Sequence, residues 1–214
     1  MKLLSTDLSP FAGRVRAQIY AKGLSIEIAE PNPPLRSDGF KASYALGKIP
    51  VLLLEDDTYL SESSVIMHYL EDIHPEPSLR PTRHIERAHM GLFQAFADNH
   101  LRDQLFPLFA LLMNPKGGTD PNTAIKAMTT EFGKFDRQLA EIPSHETRNL
   151  HIGDIALAMT MYFALAVPAV FGGKNLLTDF ARLSGWWEWV KTQSGVDKAL
   201  AETDIAFKEI GNGN

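Results

Sequence analysis

Ser9, Ile49, Pro50, Glu62 and Ser63 are the residues whose types and surroundings point to chemistry in this chain. Ser9 opens the stretch "SPFAGRVR", 9–16. A serine there is a favoured helix N-cap, and the proline after it gives up no N–H that a first helical turn needs. The other reading is that the same hydroxyl touches a reacting atom. The local sequence by itself favours the cap, because N-cap serines are far commoner than catalytic ones. Pro50 precedes the apolar run "VLLL", where it removes a donor from a sheet ladder. A cis Ile49–Pro50 bond in a tight turn would leave the backbone N–H and C=O of Ile49 free to pair with an extended peptide. A trans proline at the start of a strand is the other solution. Glu62 and Ser63 open the next helical segment. A helix N-terminus with a serine hydroxyl suits a carboxylate, and a neighbouring glutamate suits an ammonium group, so the pair fits the amino-acid end of a small peptide. The plain alternative has Ser61 capping the helix and Glu62 favouring its positive end.

The elements that must hold these residues change in texture along the chain. "KLLST" reads as a strand, and Pro10 to Lys22 as a helix with Val15, Ile19 and Phe11 on one face and Gly23 as its stop. "SIEIAE" alternates as a second strand, and "VLLLEDDTYLSE" reads as two strands around Asp56–Asp57. A helix follows Ser61, with Val65, Ile66, Tyr69 and Leu70 at core spacing. The order β-α-β-(α)-β-β-α predicts an α/β domain with a mixed sheet over 1–77. "HPEPSLRPTR" is proline-rich, and 78–83 reads as a linker. From 84 to 214 the segments read as helices, predicting an all-helical domain. Pro107 is expected to kink the long amphipathic stretch that begins this domain. The uncharged run "IALAMTMYFALAVPAVFGG" is nearly long enough to cross a bilayer. Pro168 and Gly172–Gly173 interrupt it, and it reads as a helix buried within the helical domain. Trp186, Trp187 and Trp189, at helical spacing, read as packing residues.

Composition narrows the function classes. A chain of 214 residues with 44% hydrophobic and 22% charged residues can build a core in one large domain or two small ones. A net charge of −5 favours neither nucleic acid nor an anionic membrane surface. The absence of cysteine excludes disulfides, thiolate zinc sites and cysteine nucleophiles, and fits a reducing cytoplasm. The N-terminal "MKLLSTDLSP" turns polar too soon for a secretory signal. His84 and His89 share a helix without the glutamate of an H-E-x-x-H site, so no metal is expected.

"SPFAGRVR", "GKIPVL" and "LSESSVIMHYLED", in this order and spacing, resemble the glutathione transferases. The first of them is similar to the active-site run of the serine-type classes (tau, zeta and their bacterial relatives). The resemblance extends over essentially the whole chain. It implies a thioredoxin-like domain carrying the glutathione site, followed by an all-helical domain lining the second-substrate site. It also implies that Ser9 donates a hydrogen bond to the glutathione sulfur and that Ile49, with Pro50 cis, offers its backbone to the cysteinyl part. Glu62 and Ser63 would hold the γ-glutamyl group, and Lys48 the glycyl carboxylate. Phe11, Phe106, Phe109 and Met113 would line the hydrophobic pocket, with core packing as the alternative for those near Pro107.

Family members commonly form homodimers that set an acidic residue near the partner's glutathione. Asp98 would take that role or lie on a solvated face, and apolar surface near Phe93 and Phe96 is expected at the subunit contact. Two departures stand out. The zeta isomerases resemble Ser-Ser-Cys-Ser-Trp-Arg in the first motif, where this chain has Ser9-Pro10-Phe11-Ala12-Gly13-Arg14, which counts against cis–trans isomerase chemistry. The family's buried helix usually opens with Ser or Thr three residues before an Asp; here His151 precedes Asp154, so the reciprocal hydroxyl cap is expected to be lost. The function implied is conjugation of glutathione to small hydrophobic electrophiles. A glutathione-dependent isomerase or lyase, and a non-catalytic binding protein on the same fold, are the alternatives.

Overall fold

Strands of three residues cannot stand alone; they hold only where helices cover the sheet. In the computed structural model, which describes residues 1–114 and 120–212, β1 (Lys2–Leu4) pairs in parallel with β2 (Glu27–Ala29) and antiparallel with β3 (Val51–Leu53). β3 pairs antiparallel with β4 (Tyr59–Ser61), giving the order β2-β1-β3-β4. This is the mixed sheet expected from the alternating short elements. The crossover from β1 to β2 is α1 (Pro10–Lys22), which Gly23 stops in the left-handed conformation at φ 62°. α2 (Asp38–Ser43) brings Phe40 onto Leu4 and Val51 on one face of the sheet. α3 (Ser63–Ile73) packs against α1, and together they bury Ala12, Val15, Ile19, Ile66, Met67 and Leu70.

α1 is buried almost all round although it is only partly apolar, because its polar side chains find partners inside. Gln18 donates to the carbonyl of Met67 at 2.8 Å. Lys22 pairs with Glu71 at 2.9 Å with both side chains buried, and Glu71 also accepts the N–H of Leu79 at 2.8 Å. Such a pair offsets its desolvation only when its remaining bonds are made, and here they tie the proline-rich segment to α1 and α3.

The chain divides into two compact units, Met1–Leu79 with Gln193–Asn214, and Arg80–Thr192. The expected helical domain, 84–214, is therefore too long: α9 (Val196–Asn212) belongs to the first unit, where it packs on α1. Gly195 makes this approach possible. It has φ 85°, and a Cβ there would lie 2.3 Å from the nitrogen of Ala21 and 2.7 Å from the oxygen of Ala17.

The second unit contains α4 (His84–Ala95), α5 (Arg102–Met113), α6 (Pro121–Gln138), α7 (Ile152–Val170) and α8 (Ala181–Val190). α4 continues into α5 through a π-helical turn, Phe96–Leu101, in which the N–H of Arg102 reaches back five residues to Ala97. The irregularity thus falls upstream of Pro107, which sits inside α5. Core packing sets the register there: Phe96 stacks on Phe135 at 4.2 Å, and Phe93 meets Phe135 and Trp186 edge-on. Phe93 and Phe96 are buried in this core, so they do not supply the apolar surface expected of them at a subunit contact.

α7 is the core helix of this unit. It is long and apolar enough to span a bilayer, yet 78% of its most apolar window is buried inside the protein. Gly153 lets it close on α4, since a Cβ there would lie 2.2 Å from the carbonyl oxygen of Met90. The helix opens with an intact capping box, contrary to the expectation that the cap is lost. The N–H of Asp154 donates to Nδ1 of His151 at 3.0 Å, and the N–H of His151 donates to Oδ2 of Asp154 at 3.0 Å. An imidazole nitrogen accepts as a serine oxygen would. Arg148 grips Asp154 with both terminal nitrogens at 2.6 and 2.8 Å, and Nε1 of Trp186 donates to it at 2.8 Å. Burial works against this carboxylate, but the Arg148 fork and the Trp186 N–H hold Asp154 below the usual carboxylate range. Burial pushes the His151 imidazole below its ordinary value, against the pull of Asp154.

Candidate active site

The registers bring the predicted residues to one edge of the sheet. Leu4 lies opposite Val51, and Val51 lies opposite Ser61. The end of β1 leads to Ser9, the start of β3 follows Ile49 and Pro50, and the end of β4 leads into Glu62 and Ser63. Neighbouring strands are about 5 Å apart, so these termini span roughly 10 Å, the scale of a short peptide.

Ser9 is the N-cap of α1. Its oxygen accepts the N–H of Ala12 at 3.1 Å, its carbonyl accepts the N–H of Gly13 at 2.8 Å, and its own N–H donates to Thr6 at 3.2 Å. Capping uses the hydroxyl as an acceptor only, and its proton is committed to no acceptor among the described residues. The two readings of Ser9 are therefore compatible, because a hydroxyl has one donor and two acceptor sites. No acidic residue occupies the first turn of α1, so the positive field at its N-terminus is uncompensated there.

The Ile49–Pro50 bond is cis. The side chain of Ile49 packs on the cluster of Leu4, Phe40 and Val51. Its backbone N–H and C=O pair with no group among the described residues, which leaves both polar functions for an external strand. Lys48 beside it is exposed and forms no ion pair among the described residues.

Glu62, and not Ser61, takes the N-cap position of α3. Its backbone lies at φ 69°, ψ 118°, and no side chain caps the first turn. A glutamate held in the left-handed region is strained, and strain of this kind concentrates at functional positions. The arrangement points the Glu62 carboxylate outward, with no cation partner among the described residues, while Ser63 begins the helix as a buried residue. The first-turn N–H groups of α3 and the Ser63 hydroxyl are donors for a carboxylate, and Glu62 is an acceptor for an ammonium group. The hydroxyl of Ser61 is buried and makes no hydrogen bond, so the proposed Ser61 cap is overturned.

The apolar candidates are distributed over the two units. Phe11 is half-buried on α1, with the Arg14 guanidinium 4.9 Å above its ring. On α5, Phe106 is 50% exposed, which rules out core packing as its role, and Phe109 leans on Phe163 at 5.3 Å. Met113 ends α5, and its side chain lies outside the described residues. Asp98 sits half-buried in the π-helical turn. Among the described residues no group of His, Asp and Glu side chains is assembled to hold a metal ion. Sequence reading assigned nothing to Arg16, which is buried beside the loop before Ser9. Its signal was a pair of arginines flanking Val15 in the middle of a buried helix.

Residues 3–78 match the family model of the glutathione S-transferase N-terminal domain. A probable glutathione S-transferase of Zea mays is 35% identical over 134 residues, covering 58% of this chain and 55% of that protein. A probable glutathione S-transferase of Oryza sativa is 27% identical over 205 residues, covering 93% of this chain and 86% of that one. The chain is therefore similar to glutathione S-transferases, most directly in its N-terminal domain, residues 3–78. Its fold is that of a glutathione S-transferase from Methylobacterium radiotolerans, solved in complex with glutathione sulfonate, with a TM-score of 0.75 over 93% of each chain at 21% identity. Within this glutathione transferase fold, the first unit is the thioredoxin-like domain with its mixed sheet, and the second is helical.

Proposed function

We propose that this protein is a glutathione transferase of the serine type and joins glutathione to small apolar electrophiles. One observation carries the reading: the uncommitted Ser9 proton, the unpaired backbone of Ile49 and the strained Glu62 share one edge of the sheet. Ile49 pairs with the cysteinyl backbone of glutathione. Glu62 holds the γ-glutamyl ammonium, Ser63 and the first turn of α3 hold its carboxylate, and Lys48 faces the glycyl carboxylate. Ser9 donates to the sulfur at the N-terminus of α1, which favours thiolate over thiol. The thiol proton leaves to solvent, the thiolate forms a bond to the electrophilic carbon, and the leaving group departs with its electron pair. Phe11, half-buried on α1 in the same unit as Ser9, offers apolar surface to the electrophile. The glutathione sulfonate complex of the Methylobacterium relative is in keeping with this ligand.

The test is Ser9→Ala. Loss of a hydrogen bond to a charged group, worth about 1.5–3 kcal/mol, should raise the pKa of bound glutathione by roughly one to two units. Activity near neutral pH should fall about ten- to a hundred-fold. Ultraviolet titration of the bound thiolate reads the shift directly, and superimposable curves for the two proteins would reduce Ser9 to a cap. Stable conjugate formation that consumes glutathione separates conjugation from isomerisation or lysis.

We also propose a homodimer, supported by the exposed side chains of Tyr59, Val65 and Ile73 on the first unit. Sedimentation at micromolar concentration should show the dimer, and a monomer alone would refute it.

A further inference from the structure

The loop between β1 and Ser9 is held from the far end of the chain. Arg16 is almost fully buried, and its guanidinium serves the backbone of this loop. One terminal nitrogen donates to the carbonyl of Thr6 at 2.7 Å and to the hydroxyl of Ser5 at 2.9 Å, and lies 2.9 Å from the carboxylate of Asp7. The other donates to the carbonyl of Asp7 at 3.3 Å and to the hydroxyl of Thr203 at 3.4 Å. Thr203, fully buried on α9, donates in turn to the same carbonyl of Asp7 at 3.0 Å. Glu202 lies 3.3 Å from Nε of Arg16, an ion contact without hydrogen-bond alignment, and is itself held by the Tyr20 hydroxyl at 2.9 Å. The N–H of Ser9 closes on the carbonyl of Thr6, the atom that Arg16 grips most closely.

We infer that Thr203 and Arg16 are positioning residues that fix the Thr6–Ser9 turn and so aim the Ser9 hydroxyl. The inference rests on the proposed role of Ser9. The turn has only local bonds of its own. Its two carbonyls are anchored by a rigid planar guanidinium and by a hydroxyl from a helix almost two hundred residues later, as the 196-residue separation of Thr203 and Asp7 shows. A hydrogen bond to sulfur weakens steeply with misalignment, so a turn free to rock would leave Ser9 in place as a cap but badly aimed as a donor. α9 therefore contributes to chemistry without contributing a contact to the reacting atoms.

The experiment is a double-mutant cycle on the full chain. Thr203→Val removes the hydroxyl and preserves shape. It should lower turnover about two- to ten-fold, raise the thiol pKa of bound glutathione in the same direction as Ser9→Ala, and leave glutathione affinity within about two-fold. Thr203→Ser should restore turnover. In the Ser9→Ala background, Thr203→Val should have no further effect on turnover or pKa, since the residue acts only through Ser9. An additive loss in the double variant, or an unmoved thiol pKa in Thr203→Val, overturns the inference while leaving the proposed function intact. An unmoved thiol pKa in Ser9→Ala overturns the proposed function itself. Should Thr203→Val fail to fold, Tyr20→Phe releases Glu202 from the same assembly. It should show a smaller, Ser9-dependent loss, and an unchanged thiol pKa there refutes the tether.

Discussion

His151 provides a test in which two protonation states make opposite predictions. Its Nδ1 lies 3.0 Å from the N–H of Asp154 and 3.1 Å from Oδ2 of the same residue. A neutral imidazole accepts the N–H and completes the capping box, whereas an imidazolium would donate to the carboxylate and lose the cap. Burial lowers its pKa, and the nearby charges of Arg148 and His89 act in the same direction against Asp154. The neutral form is the folded form. Because the folded value lies below the unfolded one, the unfolded chain binds the extra proton first, so stability is present above about pH 6.5 and falls as pH drops below it. For one proton excluded from the folded state, the loss between pH 7.5 and 5.5 approaches about 1.4 kcal/mol. His151→Ser keeps an acceptor for the Asp154 N–H, removes the titration, and gives up the edge-on packing of the ring against Phe93 at 5.2 Å. That packing loss is independent of pH. Urea unfolding followed by tryptophan fluorescence reports on this unit, because Trp186, Trp187 and Trp189 all lie on α8. The difference between the two proteins should shrink by up to about 1.4 kcal/mol from pH 7.5 to 5.5 as the wild type loses stability. His145, whose pKa burial also lowers, contributes equally to both proteins and cancels. A difference that grows on acidification would mean that the imidazolium is the folded form and would refute the argument.

If Glu62 holds the γ-glutamyl ammonium as proposed, Glu62→Gln removes a charge-assisted bond worth about 1.5–3 kcal/mol, so the Kd for glutathione should rise about ten- to a hundred-fold while turnover at saturation holds. Calorimetric titration and a KM-against-kcat comparison check this, and loss of turnover with affinity intact would contradict the assignment. Gly153→Ala places a methyl 2.2 Å from the Met90 carbonyl oxygen, where backbone must move. It should cost about 3 kcal/mol, the upper end of overpacking, and unchanged urea unfolding would show that α4 and α7 have slack.

Much of the candidate site's backbone geometry was legible because it is local. A serine before a proline specifies an N-cap whatever surrounds it, an Ile-Pro pair ahead of an apolar run specifies a turn at a strand start, and Glu62-Ser63 marks the entry to a helix. The alternation of short elements likewise determined the mixed sheet. The left-handed backbone of Glu62 had no sequence signal, since a glutamate adopts it only when the surrounding strand and helix impose it. The capping box at His151 was misjudged for a related reason: hydroxyl caps follow residue type, but an imidazole serves only when burial keeps it neutral and aims Nδ1 at the helix. Tertiary structure alone decided the partition of the helices. Periodicity identifies α9 as a helix and says nothing about the unit it joins, which was settled by the absence of a Cβ at Gly195 and by bonds from Arg16 to Thr203. The same holds for α1, where Arg16 is buried because Thr203 and the carbonyls of Thr6 and Asp7 meet it. Local propensity is written within a few residues, whereas burial of a polar side chain is possible only where the rest of the chain delivers its partner.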